Sequence, residues 1–281
     1  MKGYANSQLL VTPKGLASVI ANRAAKQPLI LDLRPPEAYT AAHIPGAIHL
    51  DLWGVSLIDT DPAPLKAFMW MIEHVLASHG VTTATPVVVY DDQSGMRAAR
   101  AFWFLEYFGH PHVQMLDGGF TAWTAGGFDV TRDAAAPPRQ STPEWTGQRQ
   151  EHTLATWREV RNALGKPEAV ILDTRSDGEY SGATVRAKRG GAIPGAVHIE
   201  WTRNLTAEGD FKPASQLKKM YEDAGVTPER EVITYCQGGY RAAHSYIALR
   251  LVGYPRVRAY LGSWKEWGDR TELPVEVPKR N

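Results

Sequence analysis

A short loop around Cys236, the only cysteine among the 281 residues, carries the clearest sign of chemistry in this sequence. The β-branched and aromatic run 232–235 before it is typical of a buried strand, and the alanine-rich apolar run 242–249 after it is typical of a helix. The N–H groups of a glycine loop can converge on one point, and the start of a helix adds positive potential there. Cys236 therefore stands where a thiolate would be stabilised.

The rest of the loop supplies the residues expected to surround a ligand at Cys236. These residues are Gln237, Gly238, Gly239, Tyr240 and Arg241. We expect the two glycines to adopt positive φ and curl the loop around an anion, although an ordinary turn also fits them. The planar guanidinium of Arg241 is suited to an anionic donor or to the loop carbonyls, and a structural ion pair is the alternative.

Composition excludes several classes of protein. The hydrophobic content of 43% and charged content of 22% are those of a soluble globular protein, and the net charge of +1 predicts no affinity for nucleic acid or membranes. One cysteine excludes an intramolecular disulfide and a cysteine-rich metal site, and no histidine–carboxylate pattern predicts a metal. We find neither a signal-peptide pattern nor an apolar stretch of about 20 residues, so we expect a cytoplasmic protein.

A long internal repeat divides the chain. LILDLR at 29–34 returns as VILDTR at 170–175, and Ile-Pro-Gly-Ala follows it in both halves. From Asp32 to Asp173, from Asp91 to Cys236 and from Trp123 to Trp267, the spacing stays between 141 and 145 residues. A period this long predicts two tandem domains, residues 1–130 and 151–281, joined by an extended Ala/Pro-rich linker over 131–150.

Strands alternate with helices in each half, and this pattern predicts an α/β fold with a central parallel sheet flanked by helices. In the first half we expect helices over 16–25, 65–79 and 97–108. Thr12 and Pro13 favour the start of the first of them. Ligands of such sheets bind beyond the C-terminal ends of the strands, which is where Cys236 is expected.

The repeat also provides an internal comparison for the cysteine. Asp91 occupies the place of Cys236 in the first half. A carboxylate can satisfy a ring of N–H donors but cannot form a sulfur intermediate, so we interpret the first half as a scaffold. The second half also has a basic insert, 181–191, expected on the same side of the sheet as Cys236. Its cations Arg186, Lys188 and Arg189 either attract an anion or belong to a solvated loop.

Three further features have a structural interpretation beside a functional one. Trp201 follows a strand and either lines the pocket or belongs to the core. His244 lies on the predicted helix, eight residues after Cys236, and we expect it to be packed or solvated rather than to face the thiol. The Asp-x-Arg motifs at 32–34 and 173–175 occur in both halves, so we expect structural ion pairs, with Glu37 and Glu179 as candidate partners.

Taken together, these motifs resemble the two-domain rhodanese sulfurtransferases. The resemblance rests on Asp-x-Arg followed by a Glu and a Tyr in both halves, on the repeated Ile-Pro-Gly-Ala, on Gly-x-x-x-x-Trp after the last strand and on one cysteine loop. It implies a rhodanese domain in each half, an inactive first domain, and a sulfane sulfur carried as a persulfide on Cys236. It implies no other cofactor, a small-molecule sulfur donor and a thiophilic acceptor, for which a protein or a thiol also fits.

The loop CQGGYR looks like a bacterial variant of the family. It has neither the basic residues after cysteine of animal thiosulfate members nor the Cys-Gly-Ser/Thr-Gly-Val-Thr of mercaptopyruvate members. Animal members have a substrate-binding arginine where this chain has Glu179, so that arginine does not carry over.

Four functions fit this sequence. The first is transfer of sulfur from thiosulfate to cyanide or another thiophile, and the second uses 3-mercaptopyruvate as donor. A cysteine phosphatase is disfavoured, because its loop is Cys-x₅-Arg and this loop is Cys-x₄-Arg, a size that suits a sulfur atom. A non-catalytic sulfur-binding module is the fourth.

Overall fold

The computed structural model describes residues 2–22, 24–136 and 148–278 of the chain. The predicted linker, 131–150, lies partly within these ranges. Thr131 exchanges two backbone hydrogen bonds with His43 and so packs on the first half. The part of the predicted linker at 137–147 lies outside the described residues.

The first half folds into a parallel sheet with helices around it. Its strands are β1 (Leu10–Val11), β2 (Leu29–Asp32), β3 (Ile48–His49), β4 (Val87–Tyr90) and β5 (Val113–Leu116). Its helices are α1 (Pro13–Ala21), α2 (Pro36–Ala41), α3 (Pro62–Ser78), α4 (Met96–Tyr107) and α5 (Gly119–Ala125). The strand order is β1-β5-β4-β2-β3, and each neighbouring pair is parallel.

The second half repeats this arrangement. Its strands are β6 (Leu154–Ala155), β7 (Ala169–Asp173), β8 (Val197–His198), β9 (Glu231–Tyr235) and β10 (Val257–Tyr260). Its helices are α6 (Trp157–Ala163), α7 (Asp177–Tyr180), α8 (Ala214–Asp223), α9 (Tyr240–Leu251) and α10 (Ser263–Trp267). The order β6-β10-β9-β7-β8 matches that of the first sheet, again with parallel neighbours.

The central strands show why the apolar runs form these sheets. Every residue of β4 and all but the first residue of β9 are buried, as expected for strands covered by helices on both faces. The predicted α/β fold with two tandem parallel sheets is therefore confirmed. Within the described ranges, no helix has the length and apolar character needed to cross a bilayer.

Helix ends differ from the predicted ones by a few residues. The helix predicted over 16–25 is Pro13–Ala21, and the Thr12 side chain caps it as expected. The helix predicted over 65–79 begins earlier, at Pro62, because a proline at the first position needs no partner for a backbone N–H.

A buried ion pair lies beside the central strand of each sheet. In the second half Arg175 Nη2 lies 2.5 Å from Asp173 Oδ2, and the Tyr235 hydroxyl donates to the same carboxylate oxygen. Asp32 and Arg34 form the corresponding pair in the first half, at 2.6 Å. Since the half without a cysteine has the same pair, these motifs serve the fold rather than the chemistry.

The candidate partners Glu37 and Glu179 for these arginines were wrong. Each arginine pairs with the aspartate two residues before it. It also donates to a main-chain carbonyl, that of Ala42 in the first half and of Gly191 in the second. Glu179 has a different partner at the site.

Helices α4 and α9 pack against each other and join the two halves. His244 of α9 is fully buried, stacks on Phe211 at 4.8 Å between ring centroids, and places Nε2 2.8 Å from the Ser94 carbonyl oxygen of the first half. Burial lowers the pKa of His244 to about 3, so the ring is neutral and donates from Nε2 to that carbonyl. The expected packed histidine is confirmed.

A segment of the first half, 52–61, crosses over the second half; we call it the crossing segment. Its Thr60 donates its backbone N–H and its hydroxyl to the buried carboxylate of Glu266, at 2.7 and 2.8 Å. Asp59 and Asp61 pair with Arg270 at 2.9 and 3.2 Å. The segment is therefore held on the second half by hydrogen bonds to a buried carboxylate and by ion pairs that are partly exposed.

We expect Thr60→Val to lower the free energy of unfolding by about 1–3 kcal/mol, because the buried Glu266 carboxylate loses a donor while the side-chain size stays nearly constant. The hydroxyl also accepts the Trp157 N–H at 2.9 Å. Urea unfolding of the full chain measures the change. Thr40→Val, on the exposed surface of α2, is the control and should change stability by no more than about 0.5 kcal/mol. A Thr60→Val protein as stable as the control would contradict this role of the crossing segment.

Candidate active site

Cys236 lies directly after β9, at the C-terminal edge of the second sheet, where the sequence predicted it. Its backbone N–H donates to Ser263 Oγ at 3.1 Å, and its carbonyl accepts from the Trp264 N–H at 2.9 Å. The Gly239 N–H donates to Sγ at 3.1 Å. The residue is 1% exposed. Its backbone is thus fixed on both sides, and a donor points at the sulfur, as a thiolate requires.

The loop after Cys236 is shorter than predicted, because α9 already begins at Tyr240. Tyr240 and Arg241 belong to the first helical turn. Gly239 has φ +89°, in the left-handed region that glycine tolerates best. The same expectation for Gly238 is wrong, since its φ is not positive. Close packing confines Gly238 instead, because an added Cβ would lie 3.2 Å from Ser56 Oγ of the crossing segment.

Arg241 is paired with a carboxylate. Its Nη1 and Nη2 donate to the two oxygens of Glu179 at 2.5 and 2.9 Å, a bidentate pair. Burial alone raises the pKa of Glu179, but the hydrogen bonds and charge of Arg241 outweigh it and lower that pKa to about 2. Burial disfavours the arginine charge as well, yet Glu179 and the nearby Cys236 raise the pKa of Arg241. The structural ion pair of Arg241 is therefore present, and Arg241 is also one of the residues that line the cleft.

The insert of the second half lies beside the cysteine loop, as expected. Gln237 Nε2 donates to the Arg186 carbonyl at 2.8 Å. The Arg186 side chain is 57% exposed, with Nη1 3.4 Å from Glu179 Oε1. Lys188 and Arg189 do not line the cleft, so the alternative in which they attract an anion there is not supported. Arg189 instead donates to carbonyls after α10, including that of Leu273 at 2.7 Å, and fixes the chain there.

Cys236 opens onto a cleft of about 460 Å³ that both halves line. The second half supplies Arg186, Trp201, Cys236, Gln237, Gly238, Tyr240, Arg241 and Lys265, and the first half supplies Trp53, Gly54, Ser56 and Met96. Apart from Gly239, Lys188 and Arg189, all the candidate site residues thus line one cleft. The first half forms part of the cleft wall, which adds to the scaffold role expected for it.

Sequence reasoning missed five of these lining residues, and Trp53 and Lys265 are the two whose side chains matter most for binding. Trp53 is 51% exposed and lies in the crossing segment, where no motif marks it and only tertiary packing brings it to the cleft. Lys265 donates its N–H to the Gln237 carbonyl at 2.9 Å, and Thr121 makes the equivalent bond in the first half. The sequence could have indicated Lys265, because the equivalent position of the first half is occupied by an uncharged threonine.

Aromatic rings link the cleft to the packing between the halves. The Tyr240 ring lies 5.1 Å from that of Trp53, and its hydroxyl donates to the Leu52 carbonyl. Burial raises the pKa of Tyr240, which keeps this hydroxyl protonated. Trp201 lines the cleft and also packs its ring 4.9 Å from His244, so it serves both roles considered for it.

The corresponding loop of the first half holds a carboxylate in the same position. Asp91 accepts hydrogen bonds from the N–H groups of Gly95, Arg97 and Ala98 at 2.9 to 3.1 Å. Burial raises the pKa of Asp91 to about 6, while these three donors act in the opposite direction. The carboxylate therefore fills the ring of N–H donors, as inferred from the repeat.

Metal ligands are not grouped in this structure. Within residues 2–22, 24–136 and 148–278, no set of three or more His, Cys, Asp or Glu side chains is arranged to hold a metal ion. The reactive groups of the cleft are a thiol, an amide, a phenol and cations.

The fold and this cleft define a member of the rhodanese family. The model of the rhodanese-like domain matches residues 16–126 and 156–270, so the chain belongs to that family with two copies of the domain. It is 33% identical over 282 residues to thiosulfate sulfurtransferase of Pseudomonas aeruginosa, covering 99% of this chain and 100% of the relative. Thiosulfate sulfurtransferase of Azotobacter vinelandii is 34% identical, with the same coverage. These names support a sulfurtransferase activity.

A solved structure shares the fold at lower identity. The anaerobic ergothioneine biosynthesis enzyme from Chlorobium limicola, in complex with trimethyl histidine, superposes with a TM-score of 0.81 at 22% identity. The match covers 99% of this chain and 72% of that enzyme. At this identity the likeness concerns the fold alone.

We expect Glu179→Gln to lower the free energy of unfolding at pH 7 by about 3 kcal/mol, because the ordinary pKa of 4.5 falls to about 2 in the folded state. A lowered carboxyl pKa stabilises the protein above pH 4.5, and this contribution is lost as the pH falls towards 2. The difference between variant and wild type should therefore shrink over that window in denaturant titrations. The exposed Glu168→Gln is the control, and a pH-independent difference for Glu179→Gln would refute the role of this pair.

Proposed function

We propose that the protein transfers a sulfane sulfur from thiosulfate to cyanide or another thiophilic acceptor through a persulfide on Cys236. The observation that carries the proposal is the position of Sγ, at the base of a cleft and 3.1 Å from the Gly239 N–H. The sulfurtransferase names of full-length relatives at 33% and 34% identity support it.

The reaction proceeds by two displacements on sulfur. The Cys236 thiolate attacks the outer sulfur of thiosulfate, a new S–S bond forms, and the old S–S bond breaks as sulfite leaves with the electron pair. Cyanide then attacks the outer sulfur of the persulfide, thiocyanate leaves, and the Cys236 thiolate is restored. No external oxidant or reductant is needed. A thiol or a protein thiolate attacks the same sulfur in the same way.

The residues of the cleft have separate roles in this reaction. The Gly239 N–H holds the sulfur anion, and Gly238 leaves room for the crossing segment against the loop. Gln237 holds the insert in place, and Arg241 with Glu179 keeps the first turn of α9 fixed.

The donor anion meets the cations Arg186 and Lys265 at the cleft mouth. Lys265 is exposed at this mouth, and Arg186 is held only loosely by Glu179. Trp201 and Tyr240 supply apolar walls. In this assignment residues 151–281 form the catalytic domain, 1–130 the domain without a thiol, and 131–150 the linker.

A second donor, 3-mercaptopyruvate, is favoured by the size of the cleft. A volume of about 460 Å³ with tryptophan walls exceeds what thiosulfate fills and accommodates an organic donor, which would leave as pyruvate. The phosphatase alternative has less support, because Glu179 already takes two of the five N–H donors of Arg241 and neutralises its charge.

The first test is the intact mass of the protein. We expect thiosulfate to add the mass of one sulfur atom and cyanide to remove it, and Cys236→Ser to abolish both changes. A mass gain without turnover would identify a sulfur-binding module. Turnover of an aryl phosphate that disappears in Cys236→Ala, together with no sulfur gain, would sink the proposal in favour of a phosphatase.

The second test compares the two donors in steady-state kinetics. We expect Lys265→Gln to raise KM several-fold for either anionic donor while kcat changes little, because Lys265 acts on binding rather than on the sulfur. Lys219→Gln, on the exposed surface of α8, should leave both constants unchanged. The donor with the higher kcat/KM in the wild type is the better substrate. An unchanged KM in Lys265→Gln would rule out this role of the lysine.

A further inference from the structure

Arg100 of α4 is a buried arginine without a carboxylate partner among the described residues. It is fully buried, none of its three side-chain nitrogens has a hydrogen bond of normal geometry within the described ranges, and the Tyr240 hydroxyl is the polar group that interacts with it. No ion pair joins it to a carboxylate in the part of the chain that the structure describes. Burial of an uncompensated charge costs stability, and burial lowers the pKa of this guanidinium. A residue retained at such a cost requires an explanation outside packing.

The guanidinium of Arg100 lies against the cysteine loop. Its Cζ is 3.9 Å from the centroid of the Tyr240 ring. Tyr240 follows Gly239, whose N–H donates to Cys236 Sγ. A cation on a ring face gains from the π electrons, but this interaction does not neutralise it. The Cys236 thiolate is within electrostatic reach of Arg100 and favours its charged form.

The other charged groups around Cys236 are either paired or open to solvent. Arg241 is bound by Glu179, and Arg175 is bound by Asp173. The remaining cations are Arg186, 57% exposed and 3.4 Å from Glu179, and Lys265, exposed at the cleft mouth. Water and salt screen these two cations, whereas they do not screen Arg100. Arg100 therefore has the unpaired buried positive charge that a sulfur anion on Cys236 would complement.

The repeat places a different residue at the equivalent position of the second half. Arg100 and His244 are each the fifth residue of their helices, α4 and α9. Each reaches the loop of the opposite half: His244 donates to Ser94 beside the Asp91 loop, and Arg100 stacks on Tyr240. The Asp91 loop of the first half is therefore contacted by the neutral His244 ring. The Cys236 loop of the second half is contacted by the Arg100 cation.

We propose that Arg100 is a positioning residue for Cys236, and that its charge, supplied by the half without a cysteine, stabilises the thiolate through the Tyr240 stack. It stabilises the anionic persulfide in the same way, and this second part rests on the proposed function. The domain that lacks the thiol thereby contributes to the reactivity of the domain that has it.

The test measures the alkylation rate of Cys236 by the neutral reagent iodoacetamide as a function of pH, in the full chain. We expect the midpoint of the profile to move up by about one pH unit in Arg100→Met, with alkylation about tenfold slower below the midpoint. Arg100→Lys keeps the charge and should stay near the wild type. Arg250→Met is the matched control, because Arg250 lies in the same interface but is paired with Glu106 at 2.9 Å. It should leave the profile unchanged.

Unfolding by denaturant separates this role from a structural one. Arg100→Met should be at least as stable as the wild type, because it loses an uncompensated buried charge, whereas Arg250→Met should be less stable. A folded Arg100→Met with an unchanged alkylation profile would overturn the proposal, and so would Arg100→Lys behaving like Arg100→Met. Arg100→Gln is a second neutral variant. If neither neutral variant folds, Arg100 is structural and the proposal is wrong.

The alkylation measurement tests the role of Arg100 separately from the proposed sulfur transfer. Alkylation requires no sulfur donor, so it reports on Arg100 even if the protein transfers no sulfur. A wild type that shows the expected dependence on Arg100 but gains no sulfur from thiosulfate would contradict the proposed function alone.

Discussion

The packing of α4 against α9 is the contact on which the rest of the structure depends. Each of these helices begins at the loop of its own half and continues into the interface, where it is buried over most of its length. The loop at each helix start is therefore held between its own sheet and the opposite half. Because protein interiors are close-packed, the position of one loop is set by side chains from both halves. His244 against Ser94 and Arg100 against Tyr240 are the two reciprocal contacts.

The burial of the Cys236 loop between the two halves determines how the charges near it are paired. A buried charge must be paired or must have a function, and most arginines near Cys236 are paired. Asp173 satisfies Arg175, and Glu179 satisfies Arg241. Glu179 binds the arginine at the start of α9, which belongs to the cysteine loop motif itself. The cations left for an incoming anion lie at the mouth of the cleft rather than at its base.

The fold and the reactive residue were predictable from the sequence for physical reasons. Buried parallel strands have continuous apolar runs, and the duplication showed each run twice, so the two sheets and the place of Cys236 followed. The partners of Arg241 and the wall formed by Trp53 were not predictable in the same way. Trp53 reaches the cleft through a segment that crosses to the other half, about 180 residues before Cys236 in the chain. Contacts at such separation depend on tertiary packing and leave no periodicity or spacing in the sequence.

The crossing segment has a counterpart that covers the other loop. The Gly209 carbonyl accepts the Ser94 N–H at 2.8 Å, and an added Cβ at Gly209 would meet Gln93 at 2.5 Å. Each copy of the domain thus contributes a segment that covers the loop of the other copy. The copy without the thiol still forms part of the wall of the cleft around Cys236. Substitutions in that copy can change which molecules reach the Cys236 sulfur while the loop that holds Cys236 stays constant. The surroundings of one cysteine can therefore change through substitutions in either half of the gene.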